Sequence, residues 1–305
     1  MFNHELKRRF IEIRNNEATL PKGYLELQFR KVAVMEHKLQ KDVSNFSFYD
    51  ITEYYKTLNA SSVNGLKVLN SQFSIYTDWC LKQNLVTDGQ NHFLELRTED
   101  YNNCINKALV KLSIFSREEL LDLIYELPNP KDRFLILALF EGIKGKDFSD
   151  ITLLKPEDIN GNICTLASGK QIEISDDLKD IIIATIAEDT YYSMSGHMQK
   201  KIPLIDHGYI IKEYPNVEVN AGTVYQSGRR LYSSLQRAFE FLGVPHLKAN
   251  DLYYSGIIHT IKTNAKVRSM KSIDYIYSEY FEEMQDKYNI GKYKKAIVEK
   301  YEDYL

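Results

Sequence analysis

Few residues of this sequence are spaced for chemistry of their own. Cys80, Cys104 and Cys164 are odd in number and form no Cys-x-x-Cys pair, so neither a zinc site nor a disulfide framework follows. His197, His207, His246 and His259 are scattered without ligand spacing and read as ordinary structural histidines. No metal and no cofactor is expected. Tyrosine is the unusual type, with 22 against 14 Phe and 1 Trp; its apolar ring and polar tip suit half-buried surfaces and interfaces. Tyr275, Tyr277, Tyr280, Tyr288, Tyr293, Tyr301 and Tyr304 crowd the C-terminal end, so one tyrosine near any given place there carries little weight. Arg is absent between Arg133 and Arg229 and again between Arg237 and Arg268. Long stretches therefore lack the planar fork that bonds two oxygens of one phosphate or carboxylate.

Elements must position whatever side chains act. A chain of 305 residues suggests two domains on a soft prior of about 150 residues each, and it can bury two cores without covalent staples. The formal net charge of −3 gives no global field for polyanions. Charge is screened within about 8–10 Å at physiological salt, so any anion-binding face must be gathered locally. Residues 1–112 carry a slight excess of Lys and Arg, and the remainder an excess of Asp and Glu. The start, MFNHELKRRF, is charged and lacks the apolar stretch of a signal peptide. The longest apolar run, Phe134–Phe140, is far short of the ~20 residues that span a bilayer. A cytoplasmic protein with no membrane partner is expected.

Apolar residues at three- and four-residue spacing predict helices over about 2–15, 24–41 and 49–58. A longer helix is expected from Ser61 to Leu81, with Ser61 or Ser62 as N-cap and Val63, Leu66, Val68, Leu69, Phe73, Ile75, Trp79 and Cys80 inward. Another begins at Thr98, where Glu99 and Asp100 suit the positive end of a helix. A boundary near 110–116 divides an all-α domain, 1–112, from a second domain, 113–305. The second opens with a helix capped by Ser116, with Glu119 at capping-box spacing. After Asn129-Pro130 comes a helix that is apolar on all sides, hence a core helix. Asn162–Ala167 and Gln171–Ser175 flank Ser168-Gly169-Lys170 and read as the one clear β-hairpin. Helices are expected at about 176–188, 223–242, 249–264, 271–287 and 292–304, and 190–220 reads as irregular with a short strand at Gly208–Lys212. The fold is mainly α: an all-α domain, then an α+β domain with a small hairpin.

Four stretches of the second domain, in order, resemble those of the tyrosine recombinase (phage integrase) family. LFEGIKGKDFSDITLLKPEDI (Leu139–Ile159) is similar to the family's first box, a Gly-Leu-Arg turn leading into Ser-Glu-Leu and a later Asp-Ile pair. The hairpin holds Lys170 in its turn, where the family places a catalytic lysine. LGVPHLKANDLYYSGIIHTI (Leu242–Ile261) is similar to the second box, which runs His-x-Leu-Arg-His-Ser. GKYKKAIVEKYEDYL (Gly291–Leu305) resembles the segment that ends in the nucleophilic tyrosine. The N-terminal helices, best seen in Phe48–Asn84, look like the family's core-binding (SAM-like) domain.

The chemistry this resemblance implies is attack of a tyrosine hydroxyl on an in-line DNA phosphate. Two arginines and a His or Trp hold the non-bridging oxygens, while a lysine or histidine manages protons. Read ungapped against Ser149-Asp150-Ile151, the first arginine position holds Asp147, a carboxylate that would repel phosphate. A shift of one to three residues offers Lys146 or Lys144, and no Arg. The second box has Asn250 for its His and Tyr253 for its Arg, and the later His is Lys292. Lys170 and Tyr301 alone keep the family's residue types. Loss of one charge-stabilising donor costs about 10²–10³ in rate, so no residue is assigned as catalytic. The stretch between Asn250 and Lys292 is also longer than is usual in the family. That loosens the register of Tyr301, which reads as an interface or core aromatic.

What the resemblance leaves is a clamp on double-stranded DNA, with phosphate contacts supplying most of the affinity. The candidate contacts are Lys67, Lys82, Lys144, Lys146, Lys170, Arg229, Arg230 and Lys292, with Lys294-Lys295 nearby and Lys7-Arg8-Arg9 as an arm. A modest stripe of Ala296, Ile297, Tyr301 and Leu305 suggests self-association through the C-terminal tail. The expectation is a sequence-specific DNA-binding protein with a recombinase fold and no recombinase activity. In style it is similar to recombinase-fold lysogeny repressors of SPβ-like Bacillus phages, acting in a bacterial host. Two alternatives stand beside it: an active site-specific recombinase, and an accessory interaction subunit of a recombination complex.

Overall fold

The computed structural model describes residues 2–16, 23–60, 63–194, 200–215, 224–290 and 294–305. The chain divides into two units, Met1–Lys111 and Leu112–Leu305. The first contains α1 (His4–Asn16), α2 (Tyr24–Leu39), α3 (Phe48–Thr57), α4 (Val63–Leu81), α5 (Thr98–Asn103) and α6 (Lys107–Leu112). Ser47 and Asp50 form a capping box that starts α3. Along α4, Leu66, Leu69, Phe73, Tyr76 and Cys80 are buried at helical spacing. Val68, expected inward, is exposed. The candidate caps Ser61 and Ser62 lie outside the described residues. The rings of Phe10, Phe29 and Tyr76 meet edge to face, the arrangement aromatic quadrupoles favour.

Lys7 corrects one sequence expectation. It is fully buried, paired with Glu36 and 3.2 Å from Asp42, and Glu36 also accepts from the Val43 amide at 2.9 Å. A buried cation must be paired and hydrogen-bonded, and this one is. Lys7 thus anchors α1 to α2 instead of joining an exposed arm, while Arg8 and Arg9 stay on the surface.

The second unit contains α7 (Arg117–Tyr125), α8 (Pro130–Phe140), α9 (Ser149–Thr152), β1 (Ile159–Asn160), β2 (Ile163–Thr165), β3 (Gln171–Glu173), α10 (Asp176–Ala187), β4 (Thr190–Tyr192), β5 (Lys201–Pro203), α11 (Val224–Phe241), α12 (Ala249–Val267), α13 (Ser272–Tyr277), α14 (Phe281–Tyr288) and α15 (Lys294–Tyr301). Ser116 and Glu119 close the expected capping box on α7. Every residue of Phe134–Phe140 is buried, because α7, α10, α11 and α12 all pack on α8. The strands β1, β2 and β3 form one antiparallel sheet with Cys164 opposite Ile172, and Lys170 lies in the β2–β3 turn.

Three local expectations fail. A second ribbon, β4–β5, pairs Tyr191 with Ile202 in a region that reads as irregular, since three-residue strands carry too little alternation to detect. No strand forms at Gly208–Lys212; instead Ile210 turns inward and its amide donates to Leu154 O at 2.9 Å. The single helix expected over 271–287 is broken into α13 and α14. The break is held by Ser278 Oγ donating to Tyr275 O at 2.7 Å and by Tyr275 Oη donating to Tyr280 O at 3.1 Å. No helix among the described residues is long and apolar enough to cross a membrane.

Helix α12 crosses α8 where Gly256 faces the Phe140 carbonyl, and a Cβ there would overlap that oxygen. At the other end of α8 lies a buried polar group. Asp132 accepts from Asn129 Nδ2 at 3.0 Å, and Asn129 also receives the Tyr192 amide at 2.7 Å, tying β4 to α8. Glu188 accepts from the Lys131 amide at 3.1 Å. Burial pushes the Asp132 carboxyl up to about 6 and Glu188 up to about 7. Both titrate near pH 4 in an unfolded chain, so the folded state holds protons that the unfolded state releases. Their stabilising contribution is complete below about pH 4 and is lost as pH rises through 6–7. The thermal midpoint should therefore rise on going from pH 8 to pH 5.5, and Asp132→Asn with Glu188→Gln should flatten that rise. An unchanged slope in the double variant would assign the effect to other groups.

Candidate functional site

The site is built at the C-terminal end of α8. Gly142, with φ +96°, turns the chain out of the helix, and the buried Ile143 leaves Lys144 pointing to the first turn of α12. Lys144 Nζ donates to Asn250 Oδ1 at 2.6 Å and lies 4.8 Å above the Tyr253 ring. Asn250 and Tyr253 are one turn apart on α12, so they share a face. Burial lowers the Lys144 ammonium from its ordinary value and raises the Tyr253 hydroxyl. Tyr253 Oη donates to the Tyr288 carbonyl at the end of α14.

The β2–β3 turn is fastened to the same helix. Lys170 Nζ donates to the Asp286 carbonyl and sits 3.4 Å from the Asp286 carboxylate. Lys287 Nζ donates to Glu173 O at 3.3 Å, and Tyr288 Oη donates to Phe140 O at 3.0 Å. Helix α14 therefore bridges the hairpin, the end of α8 and α12. It occupies the stretch between Asn250 and Lys292 that is long for the family. The sequence signals it through the helix expected over 271–287 and that excess length, and gives no sign of its bridging role. Beneath lies a second network: Arg117 bonds Glu141, Ser175 and Asp177 at 3.1, 2.6 and 2.8 Å, joining α7, α8 and α10.

Asp147, the ungapped arginine position, does not join this cluster. Asp147 (φ 53°) and Phe148 (φ 61°) take left-handed conformations, and the Asp147 backbone carbonyl packs on Gly228 of α11, where a Cβ would clash. The residue that meets Asn250 and Tyr253 is Lys144, three positions earlier, and Lys146 is exposed. Lys67 is exposed on α4, bonds Thr98 Oγ1 at 3.1 Å and lies over Tyr101; Lys82 is exposed just beyond that helix. Arg229 is exposed on α11 and Arg230 forks onto Glu213. Lys292 and His197 lie outside the described residues. His246 meets Leu112 O at 3.2 Å and His259 packs on Phe140. No group of His, Cys, Asp or Glu among the described residues could hold a metal.

Tyr301 is 1% exposed and packs on Tyr254 at 5.2 Å, with Lys300 over both rings. Its hydroxyl is buried with no partner among the described residues, and burial raises it above the ordinary phenol value.

A helical unit followed by a helical unit with small antiparallel sheets has the fold of the tyrosine recombinase class. Within it the chain belongs to the MrpR family, whose C-terminal catalytic domain matches residues 114–305 and whose N-terminal core-binding domain matches residues 1–82. It is 22% identical over 274 residues to the SPbeta prophage-derived uncharacterized protein YopR of Bacillus subtilis (strain 168), covering 85% of this chain and 81% of that protein. Its fold is similar to that of lambda integrase in a dimer bound to a COC′ core site. There the TM-score is 0.50 at 14% identity, covering 100% of this chain and 95% of that one.

The surroundings of Tyr301 give a direct expectation. Tyr301→Phe should leave the unfolding free energy unchanged or slightly raised, since it removes a buried hydroxyl without a partner. Tyr301→Ala should lower it by about 3–5 kcal/mol, as for other buried aromatics. Urea denaturation of both variants reads this; a marked loss in Tyr301→Phe would mean that the hydroxyl is bonded.

Proposed function

We propose that this chain binds double-stranded DNA sequence-specifically without cleaving it, as a transcriptional (lysogeny) repressor in a prophage setting. The observation that carries this reading is that Lys144 bonds Asn250 and lies over the Tyr253 ring, the three standing where the family resemblance would place two arginines and a His. Lysine keeps a point charge and loses the planar fork, and the Tyr253 hydroxyl is turned to a backbone carbonyl. Such a group can attract a phosphate and cannot stabilise charge developing on two of its oxygens at once. A nucleophilic role for Tyr301 would require it to leave a buried seat.

The DNA part of the reading is supported by the fold shared with lambda integrase on its core site and by exposed cations at Lys67, Lys82, Lys146 and Arg229. The prophage setting is supported by the relation to YopR. Self-association through the tail belongs to the same reading in one form only. Ile297 and Tyr301 are already covered within one chain, so the tail would have to exchange between copies.

Genomic fragments retained by the protein should share an element near promoters. Affinity should fall steeply from 50 to 200 mM salt, and Lys144→Gln and Lys146→Gln should each lower the salt slope by about 1. A covalent adduct on a nicked suicide substrate would instead establish an active recombinase. Failure to retain any duplex would favour an accessory interaction subunit.

A further inference from the structure

Away from the α8–α12 cluster, a cavity of about 360 Å³ opens beside α11, lined by Lys131, Arg229, Arg230, Arg237, Glu213 and Tyr214. Four cations face one carboxylate in that lining. Arg230, Ser234 and Arg237 follow at i, i+4 and i+7 on α11, and Arg229 and Ser233 repeat the spacing one residue earlier. A single helical face therefore presents guanidinium groups and hydroxyls together. The wall is held in place: Lys131 Nζ donates to Lys212 O at 3.1 Å and lies 4.9 Å over the Tyr214 ring. Arg237 donates to Ser234 Oγ at 3.1 Å, and Arg230 bonds Glu213 through Nε at 3.3 Å and Nη2 at 3.0 Å.

Burial lowers the Lys131 ammonium from its ordinary value, against the pull of Glu213, Asp132 and Glu188 and with a smaller push from Arg230, and like charges gathered in a recess repel one another and lose hydration. An anion among the guanidinium forks relieves both costs, and phosphate matches the fork geometry. The recess selects the size of ligand. Lys131 and Ser234 are 3% and 2% exposed and lie at its floor, whereas the phosphates of a stiff duplex meet an outer surface. The volume sits near the small end of the roughly 300–1,000 Å³ typical of small-molecule sites.

We propose that this cavity is a binding site for a small soluble molecule bearing a phosphate group, gripped by Arg229, Arg230 and Arg237 with Lys131 at its floor. The site shares Arg229 with the DNA-binding reading and does not rest on it.

The test is titration of the full chain with inorganic phosphate and with pyrophosphate at constant ionic strength, followed by calorimetry and by the thermal midpoint. Binding should saturate, weaken at least tenfold in both Arg237→Gln and Arg229→Gln, and stay unchanged in Lys146→Gln. Arg229 is exposed, so its variant keeps the test open if Arg237→Gln fails to fold. An effect that never saturates, or that survives in Arg229→Gln, overturns the site. If the arginine variants lose duplex affinity while phosphate shows no saturable binding, the cavity is a seat for a DNA phosphate. The small-ligand proposal then fails and the DNA reading stands. Saturable phosphate binding without any duplex binding upholds the cavity site and removes the DNA reading.

Discussion

The second unit depends on how closely two helices approach. Gly256 lets α12 lie against the Phe140 carbonyl of α8, a separation that no residue with a Cβ permits. The approach sets the first turn of α12 beside the residues that leave α8, and so brings Asn250 and Tyr253 to Lys144. It also leaves room for the Tyr288 hydroxyl, which bonds Phe140 O at the same crossing. Interiors are close-packed and stiff, so this contact fixes the geometry of α14 and the hairpin as well. The Arg117–Glu141–Ser175 network pairs the charged groups where α7, α8 and α10 meet.

Most helices were legible because their apolar period is strong and some starts are explicit, as at Ser116 and Pro130. The hairpin was legible because Gly169 marks its turn with φ +81°. The ribbon β4–β5 was not, since each strand is three residues long. The α13–α14 break is made by side chains that meet only in the fold, among them Tyr275 and Ser278. Lys7 shows the same limit: nothing next to it in sequence says that Glu36 and Asp42 will surround it.

For the site, the kinds of residue were legible and their register was not. Counting back from Ser149 lands on Asp147, yet left-handed residues at Gly145, Asp147 and Phe148 loop three positions out of line, so that Lys144 takes the place beside Asn250. A loop can take such a course without disturbing the helices that flank it, and periodicity cannot register it. The cavity on α11 was half visible: Arg229 and Arg230 stand out as a pair, but Lys131 and Arg237 join them only in space.

The clasp between Lys170 and Asp286 bears on how the hairpin would meet any polyanion. A bare lysine carries a cloud of solution ions and frees them when a phosphate arrives. Lys170 instead carries its counter-charge as part of the chain, on α14. An incoming phosphate would displace a tethered carboxylate, one anion traded for another, with few ions set free. The hairpin tip would then act as a latch, with a hold that depends more on the position of α14 than on the salt around it.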